Sequence, residues 1–104
     1  MEHLIVQGTF FEKLSLYLTV IFWAPLIEEL LIRGFLWRTL KGSKRWRIGF
    51  TGVLFGVLHV GNPQSILPLC IFGVLLGILR ERSDSLVPAI LAHLFYNLMI
   101  VLQL

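Results

Sequence analysis

Residues 21–37 read IFWAPLIEELLIRGFLW, a stretch that places three charged side chains within an otherwise apolar sequence. The stretch belongs to an apolar segment from about Phe10 to Leu40, which is long enough to span a hydrocarbon core of roughly 30 Å. A charged side chain near the bilayer centre costs roughly 2.5 to 3.5 kcal/mol, so such residues usually face a protein interior and mark a pathway or a reaction site. Pro25 precedes the charges by one turn and predicts a kink beside them.

The composition predicts an integral membrane protein. Of 104 residues, 57% are hydrophobic and 14% are charged, and the mean hydropathy is +0.84, outside the usual balance of a soluble domain. Further apolar segments run from about Trp46 to Val60, from Ile66 to Arg80, and from Val87 to the C-terminus. The sequence therefore predicts one all-α domain over residues 1–104. It is a polytopic membrane bundle of about four helices, with the second and third short for spanning.

Basic residues are concentrated in one stretch between the first two apolar segments: Arg38, Lys41, Lys44, Arg45 and Arg47. Two apolar segments separate this stretch from the loop with Arg80 and Arg82, so both loops can lie on the same side, which the positive-inside rule makes cytoplasmic. This clustering argues against nucleic-acid binding. It instead predicts the lipid bilayer as a partner, with attraction to anionic head groups.

Small residues in the middle segments suggest close helix packing. Gly52-x-x-x-Gly56 and Gly73-x-x-x-Gly77 each place two glycines on one helix face, as helix contacts in membranes require. Glycine merely tolerated in a membrane helix would give the same pattern, so both readings stay open. Cys70 is the single cysteine and lies in an apolar run, which favours a buried packing role over a disulfide, a thiolate metal site or a nucleophile.

Polar residues recur at one-turn spacing on three of the segments: Glu28-Glu29-x-x-x-Arg33, Phe55-x-x-x-His59 and His93-x-x-x-Asn97. In the first motif, Glu29 and Arg33 are four residues apart and share a helix face, so they can neutralise each other. Glu28 is rotated by about 100 degrees from Glu29 and has no cation three or four residues on. Glu28 is therefore the candidate general base.

The polar residues outside the Glu29–Arg33 pair suit peptide hydrolysis. Counting about 1.5 Å per residue from the loops puts Glu28, His59, His93 and Asn97 at similar depth. A water held between Glu28 and His59 could be deprotonated and directed at a carbonyl carbon. His93 and Asn97 share a helix face and could direct two N–H groups at the resulting oxyanion. Taken singly, each motif is more often structural, since membrane histidines commonly join helices.

The ordered set of three motifs on successive apolar segments resembles the CAAX protease and bacteriocin-processing (CPBP, or Abi) family of intramembrane glutamate proteases. The resemblance spans residues 21–98. It implies that a glutamate and a histidine activate the water, while a second histidine and an asparagine stabilise the oxyanion. On this chain the catalytic roles fall on Glu28, His59, His93 and Asn97, with Glu29, Arg33 and Phe55 as supporting residues.

The resemblance further implies a metal-independent endopeptidase without a cofactor, in the bacterial cell membrane, with its active site open toward the cytoplasm. Its substrate would be a peptide or protein at the membrane. The eukaryotic branch of the family trims the last three residues of prenylated CAAX proteins, and bacterial branches are linked to peptide processing or bacteriocin self-immunity. Family proteins usually have additional helices before the first motif. The chain is thus expected to be a minimal form, a truncated product or a protomer of a homo-oligomer that closes its site by association.

Two other functions remain open. Glu28, His59 and His93 would be a sufficient zinc ligand set with one open position, which would make the chain a metalloprotease, although the sequence has no His-Glu-x-x-His pair. Alternatively, the chain is a nonenzymatic membrane partner, such as an immunity protein that sequesters a bacteriocin target. Its polar residues would then serve packing or binding.

Overall fold

The computed structural model describes residues 8–59 and 61–103, which form four helices and no strand. The helices are α1 (Phe10–Thr39), α2 (Lys44–Val57), α3 (Ile66–Ser83) and α4 (Val87–Leu102). The predicted all-α bundle of about four helices is confirmed, and α2 is short as expected. Val60, at the predicted end of the second segment, and Leu104, at the C-terminus, lie outside the described residues.

Two helical stretches are long and apolar enough to cross a membrane. They are α1, with 30 residues, and Pro63–Ser83, in which a 3-10 turn leads into α3. The prediction of a short third helix that ends near Arg80 is therefore wrong. Arginine and glutamate are good helix formers, so Arg80 and Glu81 continue α3 beyond its apolar part. The helix ends at Ser83, and the next residue, Asp84, has a left-handed φ of 49°.

Large apolar side chains cover the outside of the bundle, while its interior contains charged groups. The largely exposed side chains include Phe10, Phe11, Leu67, Phe95 and Leu102. The buried polar residues are Glu29, Arg33, Thr51 and His93. Soluble proteins rarely expose so much apolar surface, whereas hydrocarbon around the bundle would favour this arrangement.

Helix α1 changes its hydrogen-bond register around the first motif. It widens into π-helical stretches at Thr19–Trp23 and Leu30–Leu36, and such stretches are frequent at functional sites. In the first stretch, the N–H at the C-terminal end donates to the carbonyl five residues back. Pro25 would be the next donor in this register, but it has no N–H. The carbonyl of Val20 is thereby left free for a partner from another helix.

Helices α2 and α3 are antiparallel and touch along the predicted glycine pairs. A Cβ added at Gly52 would lie 2.8 Å from the Val74 nitrogen, and one added at Gly56 would lie 2.7 Å from the Cys70 nitrogen. No larger residue fits either position, so the reading of these glycines as a helix contact is confirmed. Cys70 was expected to be buried but is only half-buried; its thiol lies against Gly56, in space that a larger side chain would occupy.

We expect Gly52→Ala to destabilise the bundle by about 1 to 3 kcal/mol, because the added methyl group would overlap the α3 backbone. Gly49 on the same helix is the matched control, since no atom lies within 4 Å of the position that its Cβ would occupy. Gly49→Ala should be neutral, or stabilising by up to about 1 kcal/mol through helix propensity. Unfolding of the purified variants in one detergent gives the comparison. Equal stabilities would contradict the close helix contact.

Candidate active site

The two adjacent glutamates of α1 have different surroundings. Glu29 is fully buried, and its Oε2 and Oε1 accept hydrogen bonds from Nη1 of Arg33 at 3.0 and 3.2 Å. Arg33 is also fully buried, and its Nη2 donates to the carbonyl of Gly73 on α3. The expected neutralising pair is therefore present, and it also connects α1 to α3. The Glu28 side chain, by contrast, is 41% exposed.

His93 of α4 lies between these two glutamates. Its Nδ1 is 2.6 Å from Oε2 of Glu29, and its Nε2 is 3.5 Å from Oε2 of Glu28. An ionised carboxylate only accepts hydrogen bonds, so Nδ1 of His93 carries the hydrogen and donates a hydrogen bond to Glu29. The buried Glu29–Arg33 pair thus fixes the orientation of the His93 ring and directs its Nε2 toward Glu28.

His59 follows the C-terminal end of α2 and is half-buried. Its Nδ1 is 2.8 Å from the carbonyl oxygen of Phe55, one turn earlier. Since a carbonyl oxygen only accepts, Nδ1 is the donor, and in the neutral ring Nε2 has a free lone pair. The backbone of α2 therefore sets the tautomer of His59, and Nε2 is available to accept a proton.

The Phe55 ring connects the charged and the imidazole groups. It is buried, and its centroid lies 5.3 Å from that of His59 and 5.2 Å from that of His93. The guanidinium carbon of Arg33 lies 5.2 Å from the same centroid, a cation–π contact. Phe55 therefore packs against three side chains of the site at once, which supports the relative positions of α1, α2 and α4.

Asn97 is held by a contact that its motif did not predict. Its Nδ2 donates to the carbonyl oxygen of Val20 at 2.9 Å, the carbonyl that Pro25 leaves free. One amide hydrogen positions the side chain against α1, while the other hydrogen remains available to a ligand. The sequence signal for this contact is the proline five residues after Val20, which is informative only when the helix has π register.

One cleft of about 270 Å³ collects the candidate catalytic residues. It is lined by Glu28, His59, His93 and Asn97 together with Val20, Phe55, Ser65, Pro68, Leu69, Tyr96 and Ile100. Glu29 and Arg33 do not line the cleft, but Glu29 contacts His93, which does. The structure therefore brings together four polar residues that are distributed over three of the four segments in the sequence.

Two aromatic residues outside the predicted set complete the site. The ring of Tyr96, which lines the cleft, stacks on Phe72 of α3 with centroids 4.2 Å apart. The Phe72 ring also meets His93 edge-on at 5.9 Å. Tyr96 follows His93 by three residues and so shares its helix face. This spacing is the sequence signal that could have identified Tyr96 as a residue of the site. These rings give the cleft an apolar wall beside its polar groups.

Within the part of the chain that the structure describes, no group of three or more His, Cys, Asp or Glu side chains is arranged to hold a metal ion. The alternative zinc set of Glu28, His59 and His93 does not form such a group. One ring nitrogen of each histidine already faces a protein oxygen.

A family model described as type II CAAX prenyl endopeptidase Rce1-like matches residues 10–99, which include α1, α2, α3 and all but the last three residues of α4. The chain belongs to this Rce1-like family. The resemblance predicted from the three motifs is confirmed. Rce1-like proteins are CAAX-type intramembrane proteases, so the chain is a membrane protein of a protease family. No curated protein and no solved structure matched the chain.

Proposed function

We propose that this Rce1-like chain is an endopeptidase of the glutamate type that cleaves a peptide within the membrane. Glu28 and His59 activate a water, and His93 and Asn97 stabilise the oxyanion. The observation that supports this most directly is the single cleft lined by all four side chains, which come from α1, α4 and the end of α2. The substrate is a peptide or protein segment that reaches this cleft.

The hydrolytic step follows from the two acceptors on the cleft wall. A water between them donates one hydrogen to the partly exposed Glu28 carboxylate and the other to Nε2 of His59. The water oxygen attacks the carbonyl carbon while its proton passes to Glu28. The protonated Glu28 then delivers this proton to the amide nitrogen as the C–N bond breaks, which releases an acid and an amine.

The oxyanion is stabilised by two donors that the fold positions in advance. A proton on Nε2 of His93 makes the ring an imidazolium that is flanked by Glu28 and Glu29. Together with Arg33, these four charges sum to zero, so the attraction between opposite charges offsets part of the cost of desolvating each one. The remaining amide hydrogen of Asn97 supplies the second donor. Donors held in place before the reaction are the usual basis of oxyanion stabilisation.

The basic end of the bundle is proposed to face the cytoplasm of a bacterial cell. Arg47 near the start of α2 pairs with Glu81 near the end of α3, with 3.4 Å between Nη2 and Oε2, so both basic loops do lie on one side, as expected. Ser65 and Ile100 of the catalytic cleft lie at the helix ends remote from these loops. Cytoplasmic opening of the site stays a prediction, because this lining extends toward the opposite side.

We expect His59→Ala to lower kcat/KM for peptide cleavage by about 10²-fold, because the water loses the acceptor that orients it beside Glu28. The assay uses the purified full chain and a quenched fluorogenic peptide. Gln64→Ala, an exposed change in the adjoining 3-10 turn, serves as the control and should retain the wild-type rate. A zinc chelator should leave cleavage unchanged.

Three outcomes separate the candidate functions. Loss of cleavage on chelation with recovery on added zinc would exclude the glutamate mechanism. Wild-type cleavage by the His59→Ala variant would remove His59 from the reaction. The nonenzymatic immunity function would be favoured by two results together. The wild-type chain would cleave no peptide, and cells that carry the Glu28→Ala variant would be protected against a bacteriocin as well as cells with the wild type.

A further inference from the structure

A second cleft, of about 230 Å³, lies at the end of the bundle where α2 begins and α3 ends. Its lining comes from both helices: Lys44, Arg45 and Ile48 from α2, and Ile78, Glu81 and Arg82 from α3. None of the candidate catalytic residues lines this cleft. It is therefore a separate feature of the fold.

The charge of this cleft is strongly positive. Its one carboxylate, Glu81, pairs with Arg47. Among residues 8–59 and 61–103, no carboxylate lies within 4.0 Å of a charged nitrogen of Lys44, Arg45 or Arg82. The first turn of α2 contains no acidic residue, and the positive end of the helix dipole adds to the same charge. Three cations from two helices thus line the cleft, and its carboxylate is already paired with Arg47.

The apolar part of the cleft distinguishes between anionic ligands. Ile48 and Ile78 are half-buried and lie about one turn deeper along α2 and α3 than the cations. A ligand that fills the cleft therefore needs an anionic group at the helix ends and an apolar group behind it. Trp46 is exposed beside the cations, and tryptophan is typical of the membrane–water interface. The cleft consequently lies at head-group depth.

We propose that this cleft binds an anionic phospholipid, with its phosphate between Lys44, Arg45 and Arg82 and the start of an acyl chain against Ile48 and Ile78. The phosphate supplies the charge that the protein lacks there. Free phosphate would leave the apolar surface uncovered, whereas a zwitterionic lipid would bring its own cation into a cleft that is already positive. The bound lipid would stabilise the α2–α3 end of the bundle independently of any cleavage by the catalytic cleft.

Native mass spectrometry of the full chain tests this proposal. The purified protein is incubated in detergent with equal amounts of phosphatidylglycerol and phosphatidylcholine, and the retained lipids are counted. The wild-type chain should retain phosphatidylglycerol preferentially. The Lys44→Gln/Arg45→Gln/Arg82→Gln variant should lose at least about tenfold in this preference, since each cation near a lipid surface contributes about fivefold.

The matched control is the triple variant Lys13→Gln/Arg38→Gln/Lys41→Gln, which also removes three positive charges but none from the cleft. It should keep the preference for phosphatidylglycerol. If both triple variants lost the preference for phosphatidylglycerol equally, general attraction between charges would explain it, and the proposal would be overturned. Absence of a preference in the wild-type chain would do the same. Displacement of the lipid by millimolar inorganic phosphate would identify a site for soluble phosphate instead. If the first triple variant unfolds, the single exposed change Arg82→Gln should still reduce the preference about fivefold.

Discussion

Glu28→Gln is expected to lower kcat/KM for peptide cleavage by about 10²- to 10⁴-fold, with little change in stability. Glutamine has nearly the same shape as glutamate but cannot take a proton from water. The Glu28 side chain is 41% exposed, and its one charged contact among residues 8–59 and 61–103 is the 3.5 Å approach to Nε2 of His93. Its replacement therefore leaves no fully buried charge without a partner. Rates with a fluorogenic peptide and unfolding of the same preparations measure the two effects separately.

Glu12→Gln is the matched control for this substitution, because it makes the same chemical change on the same helix. Glu12 caps the start of α1: its Oε2 accepts from the Thr9 N–H, and its own N–H donates to Thr9 Oγ1, both at 3.2 Å. Glutamine preserves this type of cap, so both rate and stability should match the wild type. A folded Glu28→Gln variant with wild-type cleavage would rule out Glu28 as the general base.

The helices could largely be predicted because their limits depend on local signals. Apolar runs interrupted by basic or Gly-Asn-Pro sequences place all four helices close to their observed positions. The C-terminal end of α3 could not be placed in this way. Its last residues are polar but good helix formers, and Glu81 also pairs with Arg47 of another helix. Hydropathy along one segment contains no information about such a partner.

The candidate site likewise combines contacts that local spacing predicts with contacts that depend on how the helices pack. The Glu29–Arg33 pair follows from spacing on one helix, so it was predictable. The position of His93 against Glu29 depends on how α4 packs on α1, and the bond from Asn97 to Val20 depends on a π-helical register. These contacts join residues more than sixty positions apart in the chain. The sequence could therefore indicate the candidate side chains of the site, but not that His93 lies between Glu28, the proposed base, and the buried Glu29.

Arg33→Met is expected to lower the free energy of unfolding by about 3 to 5 kcal/mol, the usual cost of removing one partner of a buried ion pair. Methionine approximates the apolar part of arginine, so the main loss is electrostatic. Glu29 would stay fully buried without its cation, and the Gly73 carbonyl would lose the guanidinium that connects α1 to α3. Denaturant unfolding in a single detergent measures the change.

Asp84→Asn gives the matched comparison, since it breaks the pair between Arg80 Nη1 and Oδ1 of the fully exposed Asp84 at 3.5 Å. Asparagine tolerates the left-handed backbone of this position, and exposed pairs contribute about 0 to 1 kcal/mol. A similarly small effect of Arg33→Met would contradict the structural importance of the buried pair. The double variant Glu29→Gln/Arg33→Met should recover part of the lost stability, because no unpaired buried carboxylate remains.

The Arg33 and Glu28 substitutions together distinguish support of the site from chemistry within it. Arg33→Met should lose stability and activity together, because the Glu29 carboxylate that orients the His93 ring loses the guanidinium that fixes its own position. Glu28→Gln should lose activity alone. In the double variant Glu29→Gln/Arg33→Met, the glutamine at position 29 can still accept a hydrogen bond from Nδ1 of His93. It no longer carries the negative charge that favours the imidazolium form of His93. Recovery of stability without recovery of cleavage would therefore indicate that the buried carboxylate acts on the reaction through the charge of His93, and not only through packing.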